Sequence, residues 1–334
     1  MIHPWNADLF RQLGADPEHM PHAILLHGPA GVGKLELAIE LARWSLCEQP
    51  SGEGACGVCD ACNWFDQGNH PDFRRVEPVE VEAEDADAAP AKKAPKKGSR
   101  VIKVEAIREI SDFLSLSAHR GGWRVALIHP AEFMNAAAAN ALLKTLEEPP
   151  ARVLLLLVSH QPRRLLPTVI SRCRKVAVPL PQRARALAWL AAAGMADPES
   201  PLAEAGGAPL AALAYAEPER AARREAFLDL LARPRQLDAC QAAQTFQPVL
   251  AEAWGWLARW VHDLLAQRLA GQSHYFPGRE GSVVPIAATC ALIDLLAFQR
   301  ELAQAGRWLR HPLNAQLLLE SWLIRYSEIA GARP

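Results

Sequence analysis

The stretch GPAGVGKLEL, Gly28 to Leu37, holds two glycines and a lysine in the G-x-x-x-x-G-K register: Gly28, Gly33 and Lys34, with Gly31 between them. Glycines let a backbone come close to phosphate, and the helix that follows offers free N–H groups at its start. Lys34 suits the charge of a β/γ-phosphate. The next position normally carries Ser or Thr, whose hydroxyl holds Mg²⁺; here it is Leu35, which has no oxygen to give. Three readings stay open on the residues: ATP hydrolysis by this chain, ATP or ADP binding without turnover, and a tight structural turn. A second cluster reads CEQPSGEGACGVCDAC. Cys47 precedes a compact C-x₂-C-x₂-C run, Cys56, Cys59 and Cys62. Four thiolates brought together by a glycine-containing turn suit a closed, tetrahedral, structural zinc site. An iron–sulfur cluster and four unligated thiols are the competing readings. His70 is the one nearby candidate for a ligand swap, and it reads more naturally as part of a surface loop.

The elements around these residues fit the chemistry. AILLHG is a short apolar run ending in glycine, and LELAIELARWSLC repeats apolar residues at helical spacing, so the loop joins a strand to a helix. WRVALIH and VLLLLVS read as buried strands, VIKVEAIREISDFLSL as an amphipathic helix, and NAAAANALLKTLEE as a helix stopped by Pro149 and Pro150. Strands alternating with helices predict a parallel sheet covered on both faces. Phosphoryl transfer also needs an acid at the end of a neighbouring strand to hold Mg²⁺ and polarise water. There VALIH continues into PAEF, with His129 and Pro130 where an Asp-Glu pair is expected and Glu132 two residues further on. Two separate parts of the metal site are thus altered, which argues against efficient hydrolysis.

Glu77 to Arg100 is acidic, then Ala/Pro-rich, then basic, and reads as a solvated, disordered insertion. Beyond VAVPLP the strand-like runs fade. Arg183 to Ala214 reads as a small helical unit, and Glu217 onward as a separate all-helical domain whose Trp254, Trp256 and Trp260 read as core. The whole chain has 334 residues, 36 basic against 37 acidic, and a net charge of −1, which disfavours bulk electrostatic wrapping of nucleic acid. A zinc-dependent nucleic-acid binder is the reading this near-neutral charge counts against. The N-terminus lacks a signal-peptide pattern, and seven cysteines without one argue against a disulfide framework. No apolar run approaches the roughly 20 residues that span a bilayer. The expectation is a cytoplasmic protein with no membrane partner.

A degenerate phosphate loop, four cysteines just after its helix, RVALIHPAEFMNAAAANALLKTLEEPP and LLLLVSHQPRRLLPTVISRC together resemble the delta-prime subunits of the bacterial DNA polymerase III clamp loader, in the AAA+ clamp-loader family. ANALLKTLEEPP and the triplet Ser171-Arg172-Cys173 are the most specific parts, and the ATP-hydrolysing gamma/tau subunits share them. NAQLLLES, Asn314 to Ser321, resembles the family's final helices. The resemblance implies an α/β AAA+ P-loop module over 1–178, with a zinc module at 47–62 and the insertion at 77–100. It implies a helical lid over 179–216 and an all-α collar over 217–334 that joins an oligomer. It further implies a non-motor subunit that helps load the sliding clamp onto primed DNA, beside gamma/tau and delta subunits, in the cytoplasm and at the nucleoid through the replisome. In that setting Arg172 is an arginine finger, offered in trans to a neighbour's ATP, with Arg174 and Lys175 beside it. The motor subunits keep a Gly-x-x-Arg sensor in the lid; GAPLAAL places Leu210 where that arginine belongs, a third loss from the ATP machinery. The alternative is an active AAA+ ATPase of DNA metabolism.

Overall fold

The computed structural model describes residues 2–14, 20–81, 99–116, 118–119, 122–306, 309 and 314–331. The chain divides into two compact units, Met1–Pro181 and Gln182–Pro334.

The first unit is built on a five-stranded sheet. Its elements run α1 (Ala7–Gly14), β1 (Ala23–His27), α2 (Lys34–Leu46), α3 (Asp60–Asp66), β2 (Phe73–Val76), β3 (Val79–Val81), β4 (Ser99–Val101), α4 (Val104–Ser115), β5 (Arg124–Ile128), α5 (Ala136–Glu147), β6 (Val153–Ser159), α6 (Pro167–Ser171) and β7 (Arg174–Ala177). The sheet order is β2-β5-β6-β1-β7, and every pairing is parallel. β5 and β6 are buried along their whole length, as central parallel strands must be when helices cover both faces. The buried faces of α4 (Ile107, Ile110, Leu114) and α5 (Ala138, Leu142, Leu146) share one core with the sheet. Asn135 caps α5, its side chain accepting from Ala138 N–H at 2.8 Å. Because β1 lies between β6 and β7, the loop at its C-terminal end opens at the point where the strand order reverses, the usual ligand position in such sheets.

Two features of the strands depart from expectation, one in this sheet and one in a separate two-stranded sheet. β2, FRRV, is an edge strand with its two arginines exposed, so it shows no apolar run to announce it. The ends of the stretch read as a disordered insertion pair as β3 and β4, antiparallel, with Val79 opposite Val101 and Val81 opposite Ser99. Residues 82–98, the middle of that insertion, lie outside the described residues.

The second unit is helical: α7 (Arg183–Ala192), α8 (Glu199–Glu204), α9 (Pro209–Tyr215), α10 (Pro218–Leu231), α11 (Ala239–Phe246), α12 (Leu250–Ala270), α13 (Glu280–Thr289), α14 (Leu292–Ala305) and α15 (Ala315–Gly331). A small core of Ala186, Leu190, Leu202 and Ala212 joins α7 to α9. A larger one gathers Phe227, Trp256, Trp260, Phe298, Trp322 and Tyr326 from the later helices. Trp256 and Trp260 are fully buried and Trp254 partly so, its indole donating to Leu302 O at 2.9 Å. Among the described residues no single helix is long and apolar enough to cross a membrane.

Candidate functional site

The phosphate-type loop follows β1 and opens α2. Gly28 has φ 150° and Gly33 φ 81°, and each is glycine for a second reason as well. A Cβ on Gly28 would strike the Val178 carbonyl oxygen, and one on Gly33 would strike the His3 ring. Gly31 adds a third left-handed turn at φ 79°. The N-terminal segment grips the loop from outside: Trp5 Nε1 donates to Val32 O at 3.0 Å, and Asn6 Nδ2 donates to Val32 O at 2.9 Å and Gly33 O at 3.2 Å.

Lys34 is 2 % exposed, and its ammonium donates back into the loop, to Gly28 O at 2.8 Å and to Pro29 O. Burial lowers its pKa to about 8, against the opposing pull of Glu132 and Glu36. Glu132 is buried too, and both its oxygens accept from the His160 backbone N–H, at 3.1 and 3.3 Å. His129 and His160 meet edge to face with centroids 5.4 Å apart. Burial pulls both imidazoles below their ordinary pKa, His160 to about 4 with Lys34 pushing the same way. The ends of β5 and β6 thus present two neutral imidazoles and an occupied carboxylate beside the lysine. Leu35, half-buried at the start of α2, adds only hydrocarbon.

Arg172 sits elsewhere on this unit, as the C-cap of α6. Its neighbours hold it on both sides. Ser171 Oγ donates to Thr168 O at 3.1 Å, and Cys173 is buried in the sheet core. The guanidinium remains about a third exposed, with Nη1 donating to Thr168 O at 3.0 Å and Nη2 2.7 Å from Glu147 Oε1. Arg174 and Lys175 are exposed on the edge strand β7.

The four cysteines converge. Cys47 caps the C-terminus of α2, and Cys59 caps the N-terminus of α3, accepting from Cys62 N–H at 3.4 Å. Cys47 Sγ accepts from the N–H groups of Cys56 and Gln49 at 3.2 and 3.4 Å. All four sulfurs lie within 4.8 Å of one another, two pairs at 4.0 Å. Thiolates around one zinc, each at ~2.3 Å, stand roughly 3.8 Å apart, so the donor set fits a single structural zinc. Sulfurs this close suit one ion better than a multi-iron cluster with its own sulfides. Backbone N–H groups from Val58 and Cys59 draw the Cys56 thiol down to about 6, while burial pushes Cys62 up to about 12. His70 is not a surface residue: it is buried edge-on against Trp64, and its Nδ1 accepts from Asp72 N–H at 3.1 Å. Among the described residues the metal-binding group consists of the four cysteines without it.

Sequence reasoning missed the grip of Trp5 and Asn6 on the loop and the pairing of Glu147 with Arg172. Glu147 left one trace, an acid in the last turn of a helix, where the helix dipole disfavours negative charge.

Comparison with known proteins resolves the family. The family described as "DNA polymerase III, delta subunit" matches residues 7–181. The DNA polymerase III subunit delta′ of Pseudomonas aeruginosa is 37 % identical over 353 aligned residues, covering 99 % of this chain and 98 % of that protein. The chain belongs to the DNA polymerase III delta-prime family. The delta′ subunit of Yersinia pestis is 34 % identical, covering 97 % of this chain and 95 % of that one. Among solved structures, a DNA polymerase III gamma subunit-related protein of Thermotoga maritima aligns over 97 % of this chain and 99 % of its own, with a TM-score of 0.51 at 19 % identity. That likeness supports the fold, a parallel α/β module followed by helical parts, over 97 % of this chain.

Proposed function

We propose that this chain is the non-motor subunit of a DNA polymerase III clamp loader. It works beside gamma/tau-type and delta-type subunits to place a sliding clamp on primed DNA, in the cytoplasm and at the nucleoid. The observation that carries the reading is the near full-length likeness to delta′ proteins. In this reading residues 1–178 are the AAA+ module, 179–216 its lid and 217–334 the collar that joins the oligomer. The cysteines hold a structural zinc, and Arg172 is a finger offered to ATP on a neighbouring subunit. Such fingers are worth on the order of 10³–10⁵ in rate. Hydrolysis by this chain itself is disfavoured by Leu35, by His129 and Pro130 in place of an acid pair, and by Lys34 held on the loop's own carbonyls. Leu210 brings no guanidinium from the lid. Gly28, Gly31, Gly33 and Lys34 remain the residues that would cradle ATP or ADP if nucleotide binds without turnover.

A second reading, an active AAA+ ATPase of DNA metabolism, draws on the nearness of Glu132 to Lys34. Against it, both Glu132 oxygens are already engaged by the His160 amide. ATP hydrolysis by the purified chain, alone and then mixed with motor and clamp-opening subunits, clamp and primed DNA, separates the two. The expected result is no turnover alone and a rise on mixing that Arg172→Ala abolishes. Turnover by the chain alone, lost in Lys34→Ala, would mean this chain is itself a motor.

A further inference from the structure

The motif ANALLKTLEEPP has no task in the reading above, yet the helix it builds ends at Glu147, 2.7 Å from the guanidinium of Arg172. Two features make this pairing more than a chance surface contact. An acid at the last residue of α5 faces the negative end of the helix dipole, where Lys144 of the same turn, not Glu147, is the residue the dipole favours. The pair is also exposed, Arg172 at 36 % and Glu147 at 50 %, where ion pairs add little to stability. A locally disfavoured residue with little return in stability points to function.

The elements that carry Glu147 are rigid. Asn135 caps α5 at its start, Leu142 and Leu146 bury its inner face, and Thr145 Oγ1 meets Ser111 Oγ of α4 at 2.9 Å. Pro149 and Pro150 end the helix just beyond. Arg172 has its own anchor in the Thr168 carbonyl, 3.0 Å from Nη1. Acceptors on two packed elements, Glu147 on α5 and the Thr168 carbonyl and Ser171 Oγ on α6, therefore fix the plane of the guanidinium. One acceptor alone would leave a long side chain turning about a single hydrogen bond.

We propose that Glu147 is a positioning residue for Arg172, holding its guanidinium in the orientation that meets the γ-phosphate of a neighbouring subunit's ATP. The inference rests on the finger reading of Arg172. Glu147 touches no substrate; it acts through the arginine.

The test is a double-mutant cycle in the assembled loader, with motor and clamp-opening subunits, clamp and primed DNA present. Steady-state ATP turnover is compared for the unaltered chain, Glu147→Ala, Arg172→Ala and the double variant. Glu147→Ala is expected to lower kcat about tenfold with KM for ATP unchanged, between the small worth of an exposed pair and the ~10²-fold cost of a misplaced group. In the Arg172→Ala background the same change should cost nothing further. Full kcat in Glu147→Ala while Arg172→Ala is inactive overturns the positioning role alone. So does an equal loss in both backgrounds, which marks a merely structural residue, or a rise in kcat, which marks a brake. Normal turnover in Arg172→Ala overturns the finger reading and this inference with it.

Discussion

Lys34 keeps its place in the phosphate-loop motif while its ammonium donates to the carbonyls of Gly28 and Pro29. On the proposed reading it holds no working nucleotide. Lys34→Ala is therefore expected to leave ATP turnover by the assembled loader within about twofold, far short of the loss expected on removing a transition-state arginine. A tenfold loss in that assay would show that the loop binds working nucleotide. The histidines behind it give a pH dependence. Unfolded, each takes a proton near pH 6.5. Folded, burial holds His129 below that value and His160 at about 4. Between those values the unfolded chain binds protons that the folded chain refuses, so stability falls as pH drops through the window. His160 alone contributes a loss on the order of 2 kcal/mol after allowing for its partial exposure. Urea midpoints measured from about pH 7 down to pH 5 should show the fall, and His160→Gln should flatten it. Parallel curves for the two proteins would refute the assignment.

At the scale of elements, the cysteine cluster ties the end of α2 to the start of α3 through Cys47 and Cys59. α3 has only seven residues, too few to persist alone, and a metal held by the cysteines would supply what the helix cannot. The purified chain should carry about one zinc, and Cys59→Ser should release it and cost at least about 2 kcal/mol. Metal content by mass spectrometry together with thermal melts checks this; zinc-free protein with unchanged melting would remove the metal from the account. The cluster was legible in sequence because ligand spacing is local. β1, β5 and β6 were legible because strands buried on both faces read as unbroken apolar runs. β2 was not, since an edge strand needs no apolar run, and β3 and β4 were lost in a charged stretch whose pairing comes only from each other. Glu147 and Arg172 are 25 residues apart, and only the packing of α5 and α6 brings them together. His70 was misplaced for the same reason: its burial comes from Trp64 and the turn at Asp72, not from apolar neighbours in sequence.

Across the molecule, the second unit holds a buried charge that no apolar pattern would reveal. Glu204, at the end of α8, is fully buried, and its carboxylate accepts from Arg220 at 2.7 Å, Arg224 at 2.8 Å and the Trp256 indole at 3.0 Å. It therefore links the small helical group of α7 to α9 with α10 and α12. Burial alone would raise its pKa; the two guanidinium groups outweigh that and hold it below the ordinary carboxylate range. Its stabilising contribution is present above the unfolded value near 4.3 and is lost as pH falls through the folded one. Replacing a buried pair by well-packed hydrocarbon can be neutral, but removing one partner strands the others. Glu204→Ala removes the anion that Arg220 and Arg224 share, leaving Arg224 with Glu225 and Arg220 with the more distant Glu252, so the expected cost is about 3 kcal/mol, the low end for a broken buried pair. Because the residue lies inside one unit, the cost should stay there. Hydrogen exchange is expected to quicken in α8, α10 and α12 while the amides of β5 and β6 keep their protection. Equal loosening of both units would mean that the two unfold as one body, and that the Glu204 cluster stabilises the whole chain rather than its helical half.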